Sequence, residues 1–422
     1  MLSTAHEKAA RARDAADPLR QFRDEFVIPP HGAGEQLYFC GNSLGLQPRA
    51  TRQALLDELD DWGQLGVEAH FRGRHPWMPY HAEVRAHLAE LVGAQPEEVV
   101  AMNSLTVNLH LMMVSFYLPT SDRPSILIEK NAFPSDRYAV ESQIRFHGFD
   151  PATDLIELDA DEPSGTISLA AIERILDQHG KRIALVLLPG VQYLTGQAFD
   201  LKRVTDLARL KGCVVGWDLA HAVGNIRLNL HDSGADFAVW CSYKYLNSGP
   251  GAVAGCFVHE RHAQAMLPRF AGWWGNDQAT RFRMGPEFKA TPGADGWQLS
   301  NPPILALAPV RVSLEIFHRA GQSRLQDKSA ELTGYFAGLL ETELPHIVHI
   351  ATPCEAQRRG CQLSLRVKGP RDAGRRLFEH LTSNGIVVDW REPDVIRAAP
   401  TPLYNRYSDC LGFVQAVRDW AA

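Results

Sequence analysis

Lys244 lies in the segment FAVWCSYKYLNSGPGAV, between two apolar runs and among serine, tyrosine, asparagine and glycine. A single loop lysine is most simply a solvated surface charge. Here the apolar flanks and the surrounding hydroxyls argue otherwise, and so does Asp218, an acid just past the buried run Cys213 to Trp217 in KGCVVGWDLAHA. A desolvated lysine becomes the amine that forms Schiff bases, and an aspartate against a pyridine nitrogen keeps a cofactor an electron sink. Read alone, Asp218 is equally a helix cap, and His221 is more often a packed core histidine. An anionic cofactor group needs donors, which a helix N-terminus supplies. Asn103-Ser104-Leu105-Thr106 offers them ahead of a helix beginning near Val107, and plain capping by Ser104 or Thr106 is compatible with that role. In NAFPSD, Phe133, Pro134, Ser135 and Asp136 follow the apolar run that ends at Glu129. Phe133 can stack on a flat ring, although core packing is the commoner fate of a phenylalanine.

These residues need a scaffold, and the periodicity supplies one. After an N-terminal helix, Tyr38 to Gly45 reads as a strand entering a Gly/Asn turn. A helix over 48–62 follows, with Leu55, Leu56, Leu59 and Trp62 at helical spacing, then another over 81–93 ended by Gly93. From there helices over 107–116, 136–146, 168–179 and 201–211 alternate with strands over 125–129, 154–158, 183–188 and 213–217. That alternation predicts an α/β fold with a mostly parallel sheet covered on both faces, and ligands bind beyond the carboxyl ends of such strands. The pattern changes near Pro309. Helices over 310–320 and 325–340, strands near 362–367 and 386–389 and a closing helix over 409–420 predict a smaller α+β domain. We expect an N-terminal segment (1–65) against that small domain, a large α/β domain (66–309) and the small domain itself (310–422).

A length of 422 residues suffices for two lobes. The net charge of -6 offers no basic field to nucleic acid or an anionic membrane. The seven cysteines are odd in number and show no CxxC pair, so zinc-ribbon and thioredoxin-like readings lack support. Cys213, Cys241 and Cys256 lie in apolar surroundings as expected of buried free thiols. The charged N-terminus does not read as a signal peptide, and no apolar run approaches a membrane span. A cytoplasmic location is expected.

Asp218 to His221 (DLAH) followed by Ser242 to Lys244 (SYK) resembles the aminotransferase-like, fold-type-I family of pyridoxal 5'-phosphate enzymes, in the branch that includes cysteine desulfurases. The resemblance narrows further. FCGNSLGLQP, NSLTVNLHLM, FPSD, TGQ, WDLAHAVGN, CSYKYLNSGPG, GWWG, LSNPP and IRAAPTPLYN stand in the order that kynureninases carry them, from Phe39 to Asn405. Tyr243 before the lysine, where the wider branch commonly has histidine, fits the narrower match. Pro189 stands where some family members have serine and offers no side-chain donor.

The resemblance implies that Lys244 carries the cofactor, that Asp218 holds its ring nitrogen and that Tyr243 moves protons. It implies that Leu105, Thr106, Phe133, Pro134, Ser135, Asp136, His221, Trp273 and Asn301 complete the cofactor site, and that Ser43, His70 and Arg397 face the substrate. Asn301, before Pro302-Pro303, reads equally as a helix cap, and Trp273 as a core or interface aromatic. An amino-acid substrate needs a fork for its α-carboxylate, which arginine fits. The implied activity is hydrolysis of L-kynurenine or 3-hydroxy-L-kynurenine to L-alanine and the anthranilate, in a homodimer with shared active sites. A desulfurase would need a reactive cysteine in a Gly/Ser-rich loop, which the chain lacks. A cofactor-binding regulator would need a basic DNA-binding module, for which no residues are left.

Overall fold

The structure is a computed structural model and describes residues 3–422. Helix α1 (Thr4–Ala16) and helix α2 (Ala50–Leu65) precede a seven-stranded sheet. Its strands are β1 (Val99–Ala101), β2 (Ser125–Glu129), β3 (Leu155–Leu158), β4 (Ile183–Pro189), β5 (Val214–Asp218), β6 (Phe237–Trp240) and β7 (Gly255–Val258). They lie in the order β3-β2-β4-β5-β6-β7-β1. Only β7 runs against its neighbours, β6 and β1; the other pairings are parallel, as the sequence predicts.

Apolar runs such as IALVLLP and FAVW are what a sheet buried on both faces requires. Alternate residues feed two separate cores. Val186, Leu188, Val215, Trp217, Ala238 and Trp240 pack on one face, and Leu185, Leu187, Phe237 and Val239 on the other. The crossover helices are α3 (Leu105–Phe116), α4 (Pro134–Phe146), α5 (Leu169–His179) and α6 (Leu201–Leu210). The last two start sharply because Ser168 and Asp200 accept the N–H groups of Ala171 and Arg203.

Helices α7 (Ile304–Ala320) and α8 (Gln322–Glu343) lead to an antiparallel sheet of β8 (Val348–Ile350), β9 (Leu363–Val367), β10 (Asp389–Arg391) and β11 (Val395–Ala398), ordered β8-β9-β11-β10. Helices α9 (Ala373–Ser383) and α10 (Tyr407–Ala421) cover it. The N-terminal segment is tied to this part of the chain. Leu37–Tyr38 pairs in parallel with Ile386–Val387, Asp14 accepts the N–H of Tyr407 at 2.7 Å, and Asp17 forms a buried ion pair with Lys328 at 2.7 Å.

Three local expectations are corrected. Pro309, read as a boundary, lies inside α7. Asn301 does not cap that helix, which begins at Ile304 after Pro303. Helix α2 buries Thr51, Ala54, Glu58 and Asp61, leaving Leu56, Leu59 and Trp62 exposed. The buried face is polar because Glu58 is satisfied there: it accepts from Trp77 Nε1 at 2.9 Å and Tyr80 Oη at 2.8 Å. No helix among the described residues is long and apolar enough to cross a membrane.

Candidate active site

The carboxyl ends of β2, β4 and β5, the first turns of α3 and α4 and the loop after β6 enclose a cavity of about 650 Å³ including its mouth. Leu105, Thr106, Phe133, Ser135, Asp136, Asp218, His221, Tyr243 and Lys244 line it, all expected from the sequence. Glu129, Val191, Tyr193 and Ala220 line it as well, and the sequence reading passed over them. Pro189 is also in the wall, beside Asp218 in the β4–β5 register.

Lys244 is held by its backbone. A tight turn returns the Asn247 N–H to the Lys244 carbonyl at 2.9 Å, with Asn247 left-handed at φ 56°. Such a backbone suits asparagine. Gly45, from the CGNSLG turn, donates its N–H to Tyr243 O at 2.9 Å. A Cβ at Gly45 would run into Lys244 O and Asn247, so only glycine lets the two turns close.

Lys244 Nζ lies 3.0 Å from His221 Nε2 and 5.8 Å from the centre of the Phe133 ring. Burial, then the charges of Lys244, Arg397 and Arg391, holds the His221 pKa well below the usual imidazole range, so this ring is neutral. Asp218 Oδ1 accepts the Ala220 N–H at 2.7 Å, which fixes the carboxylate at the strand end. Asp136 stands against Asp218. Burial, followed by the charge and hydrogen bond of Asp218, raises its carboxyl well above the usual range. Burial, aided by the charge of Asp218, pushes the Glu129 carboxyl up to about 8. Tyr243 is raised by burial and then by Cys241 and Asp218.

This donor set fits pyridoxal phosphate. Asp136 Oδ1 and His221 Nδ1 are buried without hydrogen-bond partners, as groups awaiting a ring would be. Ser104 makes no side-chain cap on α3, and Thr106 Oγ1 and Ser135 Oγ meet at 2.9 Å between the N-termini of α3 and α4. Two helix N-termini with converging hydroxyls suit a phosphate.

The other expected residues lie apart from the cavity wall. Pro134 is the first residue of α4. Ser43 sits in the turn that ends at Gly45, with its N–H on Cys40 O. His70 is half-buried against Trp77, with Nδ1 3.0 Å from Val67 O. Trp273, 41% exposed, donates to Arg281 O at 3.3 Å. Asn301 is exposed. Arg397 is buried in β11 behind Tyr193, to whose carbonyl it donates at 2.7 Å. Among the described residues all seven cysteines are free, and Cys354 alone is exposed.

A seven-stranded sheet of this order, with an aspartate ending β5 and a lysine in the loop after β6, defines a fold-type-I pyridoxal phosphate enzyme. The profile of the DegT/DnrJ/EryC1/StrS aminotransferase family matches residues 74–236, and that of the Kynureninase C-terminal domain matches residues 325–417. The chain is 63% identical over 422 residues to the kynureninase of Xanthomonas euvesicatoria pv. vesicatoria (strain 85-10), covering 100% of this chain and 99% of the other. The kynureninase of Stenotrophomonas maltophilia (strain K279a) is 63% identical with the same coverage. Among solved structures, the cysteine desulfurase CsdA from Escherichia coli superposes with a TM-score of 0.76 at 16% identity, over 94% of this chain and 97% of the other. The cysteine desulfurase of Thermococcus onnurineus NA1 gives 0.73 at 17%, over 100% and 99%. At such identities the likeness is one of fold. The chain belongs to the kynureninase family.

Proposed function

We propose that this enzyme hydrolyses the Cβ–Cγ bond of L-kynurenine or its 3-hydroxy form, giving L-alanine and anthranilate or 3-hydroxyanthranilate. It would serve tryptophan breakdown or pyridine nucleotide synthesis in the cytoplasm. The observation that carries the reading is the Lys244–His221 contact facing the Asp136–Asp218 pair, within a chain alike along its whole length to kynureninases.

Bound pyridoxal phosphate supplies an electron sink for the bonds at the substrate's Cα. Lys244 Nζ is the amine that would hold it, and the same Nζ would serve as the base for the Cα proton. Neutral His221 receives a hydrogen bond from Nζ without competing as a cation. Asp218, with Asp136 beside it on the cavity wall, would hold the pyridine nitrogen. Phe133 and Tyr193, edge to face with ring centres 5.4 Å apart, form a wall of the cavity that would receive the cofactor ring. Tyr243, which keeps its proton, is the donor toward the γ-oxygen or Cβ as water adds to the γ-carbonyl carbon and the Cβ–Cγ bond breaks. Arg397 holds the α-carboxylate.

Ser43, His70, Trp273 and Asn301 are read as acting across a two-fold interface, with the site of one protomer completed by its partner. In support, Trp62 and Phe71 are 60% and 64% exposed on the single chain, large apolar surfaces that a partner would cover.

Incubating the purified protein with pyridoxal phosphate and each substrate, and measuring the anthranilates and L-alanine, tests the reading. Equimolar anthranilate and L-alanine are expected. Release of a keto acid, or no consumption of either substrate, overturns it.

A further inference from the structure

The carboxylate fork expected at Arg397 is already engaged. Arg397 and Asp389 face one another across the β10–β11 pair. Nε donates to Asp389 Oδ1 at 3.1 Å, and Nη2 lies 2.9 Å from Oδ2. Arg391, from the same strand as Asp389, repeats the grip: Nε lies 2.9 Å from Oδ1, and Nη2 donates to Oδ2 at 3.1 Å. One carboxylate is therefore shared by two guanidiniums, and the cluster has a net charge of +1. Arg397 Nη1 is turned onto the Tyr193 carbonyl, and Tyr193 lines the cavity. Arg397 Nη2 and Arg391 Nε, each 2.9 Å from an oxygen of Asp389, are buried and held by the ion pair without hydrogen-bond geometry of their own.

A buried guanidinium is costly to leave without acceptors, and here Asp389 and the Tyr193 carbonyl hold it on two sides. The side edge of Arg397, Nε with Nη2, is set by Asp389. The end-on edge, Nη1 with Nη2, includes the nitrogen that donates to the carbonyl of Tyr193, a residue of the cavity wall. We propose that Asp389 is the positioning residue for substrate carboxylate recognition. It fixes the plane and rotamer of Arg397 so that the end-on edge meets the α-carboxylate, while Arg391 draws off part of its charge and leaves Arg397 cationic. With Asp389 on Arg397 alone the pair would be neutral and would attract an anion poorly; with no Asp389 the fork would be free to rotate. The proposal rests on the reading of Arg397 as the carboxylate partner. It adds two residues that the sequence did not single out.

The test compares the holoenzyme's KM for L-kynurenine with the inhibition constant of its decarboxylated amine, which keeps the aryl ketone and the amine but lacks the carboxylate. Asp389→Asn, checked for unchanged cofactor content and melting temperature, should raise KM about tenfold, the worth of one charge-assisted hydrogen bond, and leave the amine's inhibition constant unchanged. Arg391→Gln, which spares the β10–β11 pair, should shift KM the same way by a smaller factor and again spare the amine. In an Arg397→Gln background, Asp389→Asn should add nothing, because a residue acting through another is not additive with it. Equal weakening of both ligands, or full additivity, overturns the positioning role. If Arg397→Gln weakens kynurenine and Asp389→Asn and Arg391→Gln do not, the inference fails and the reading of Arg397 stands. If Arg397→Gln leaves KM at the parent value, both fall together.

Discussion

Tyr243 and Glu129 are both held protonated, and they differ in what that does. Burial keeps the Tyr243 phenol from ionising, with Cys241 and Asp218 adding to the effect, so it keeps a proton to give throughout the working range. Tyr243→Phe keeps the ring and deletes the proton. We expect the cofactor's visible band to persist while kcat falls roughly 100- to 10,000-fold, the usual worth of general acid–base catalysis. An unchanged kcat in steady-state assays would make the residue a packing element. Glu129 affects stability instead. Its folded pKa of about 8 lies above the ordinary 4.5. Below about pH 4.5 the acid is protonated in both states and contributes nothing to pH dependence. As pH rises from there toward 8, only the unfolded chain sheds the proton, so folding loses about 1.4 kcal/mol for each tenfold difference in proton affinity. Glu129→Gln should therefore melt higher than the parent near pH 8 in the cofactor-free protein, with the two converging near pH 4.5. A melting-temperature gap that stays constant across that range refutes the assignment. The signal for Glu129 was in the sequence: it ends the buried run SILIE just as Asp218 follows the run CVVGW. Tyr193 had no such mark, because its place depends on a loop whose path no local pattern fixes.

At the scale of elements, β6 sets the distance between Asp218 and Lys244, and two glycines set β6. Phe237 is opposite Gly216 on β5, and Trp240 is opposite Gly255 on β7. In each pair an added Cβ would run into the aromatic ring. The rings lie over bare backbone, so a missing side chain on each neighbouring strand is a packing requirement. Gly216→Ala must displace the Phe237 ring or push β5 away, two residues before Asp218. Overpacking of this kind costs about 1–3 kcal/mol. We expect a lower urea midpoint together with weaker retention of pyridoxal phosphate on dialysis; a variant matching the parent in both would show that the ring moves aside freely. The buried strands were legible because their residue types are apolar on both faces and their turns carry glycine or a capping acid. Helix α2 was misjudged in its face because apolar periodicity assumes that the apolar side is the buried one. Glu58 reverses that by finding two donors inside, and nothing at helical spacing reveals Trp77 and Tyr80 about twenty residues further on. Pro309 misled for a different reason: it is the sixth residue of a helix that runs on past it, forfeiting one hydrogen bond of the ladder, and the true start lay five residues upstream.

The whole molecule raises the question of what one chain lacks. Its cavity gathers Lys244, the carboxylates and the hydroxyls of Thr106 and Ser135, whereas Trp273 and Asn301 stay on the surface in GWWG and LSNPP, outside the regular alternation of strands and helices. Leu56, Leu59, Trp62, Val67 and Phe71 add an exposed apolar surface that would be costly in a monomer. A two-fold dimer would account for both, because it would cover the apolar surface and bring one protomer's loops to its partner's cavity. Complementation separates this from loops that serve their own chain. Lys244→Ala chains are expected to be inactive for want of the amine, and Asn301→Ala chains, expected to be crippled, keep Lys244. If Asn301 acts across the interface, one of the two sites in a mixed dimer draws Lys244 from one chain and Asn301 from the other and is wholly intact. Mixed dimers, isolated by two different affinity tags, should then recover up to about half of the parent activity per dimer. If Asn301 serves its own chain, each site in the mixed dimer carries one defect, and activity stays at the level of the Asn301→Ala parent or below.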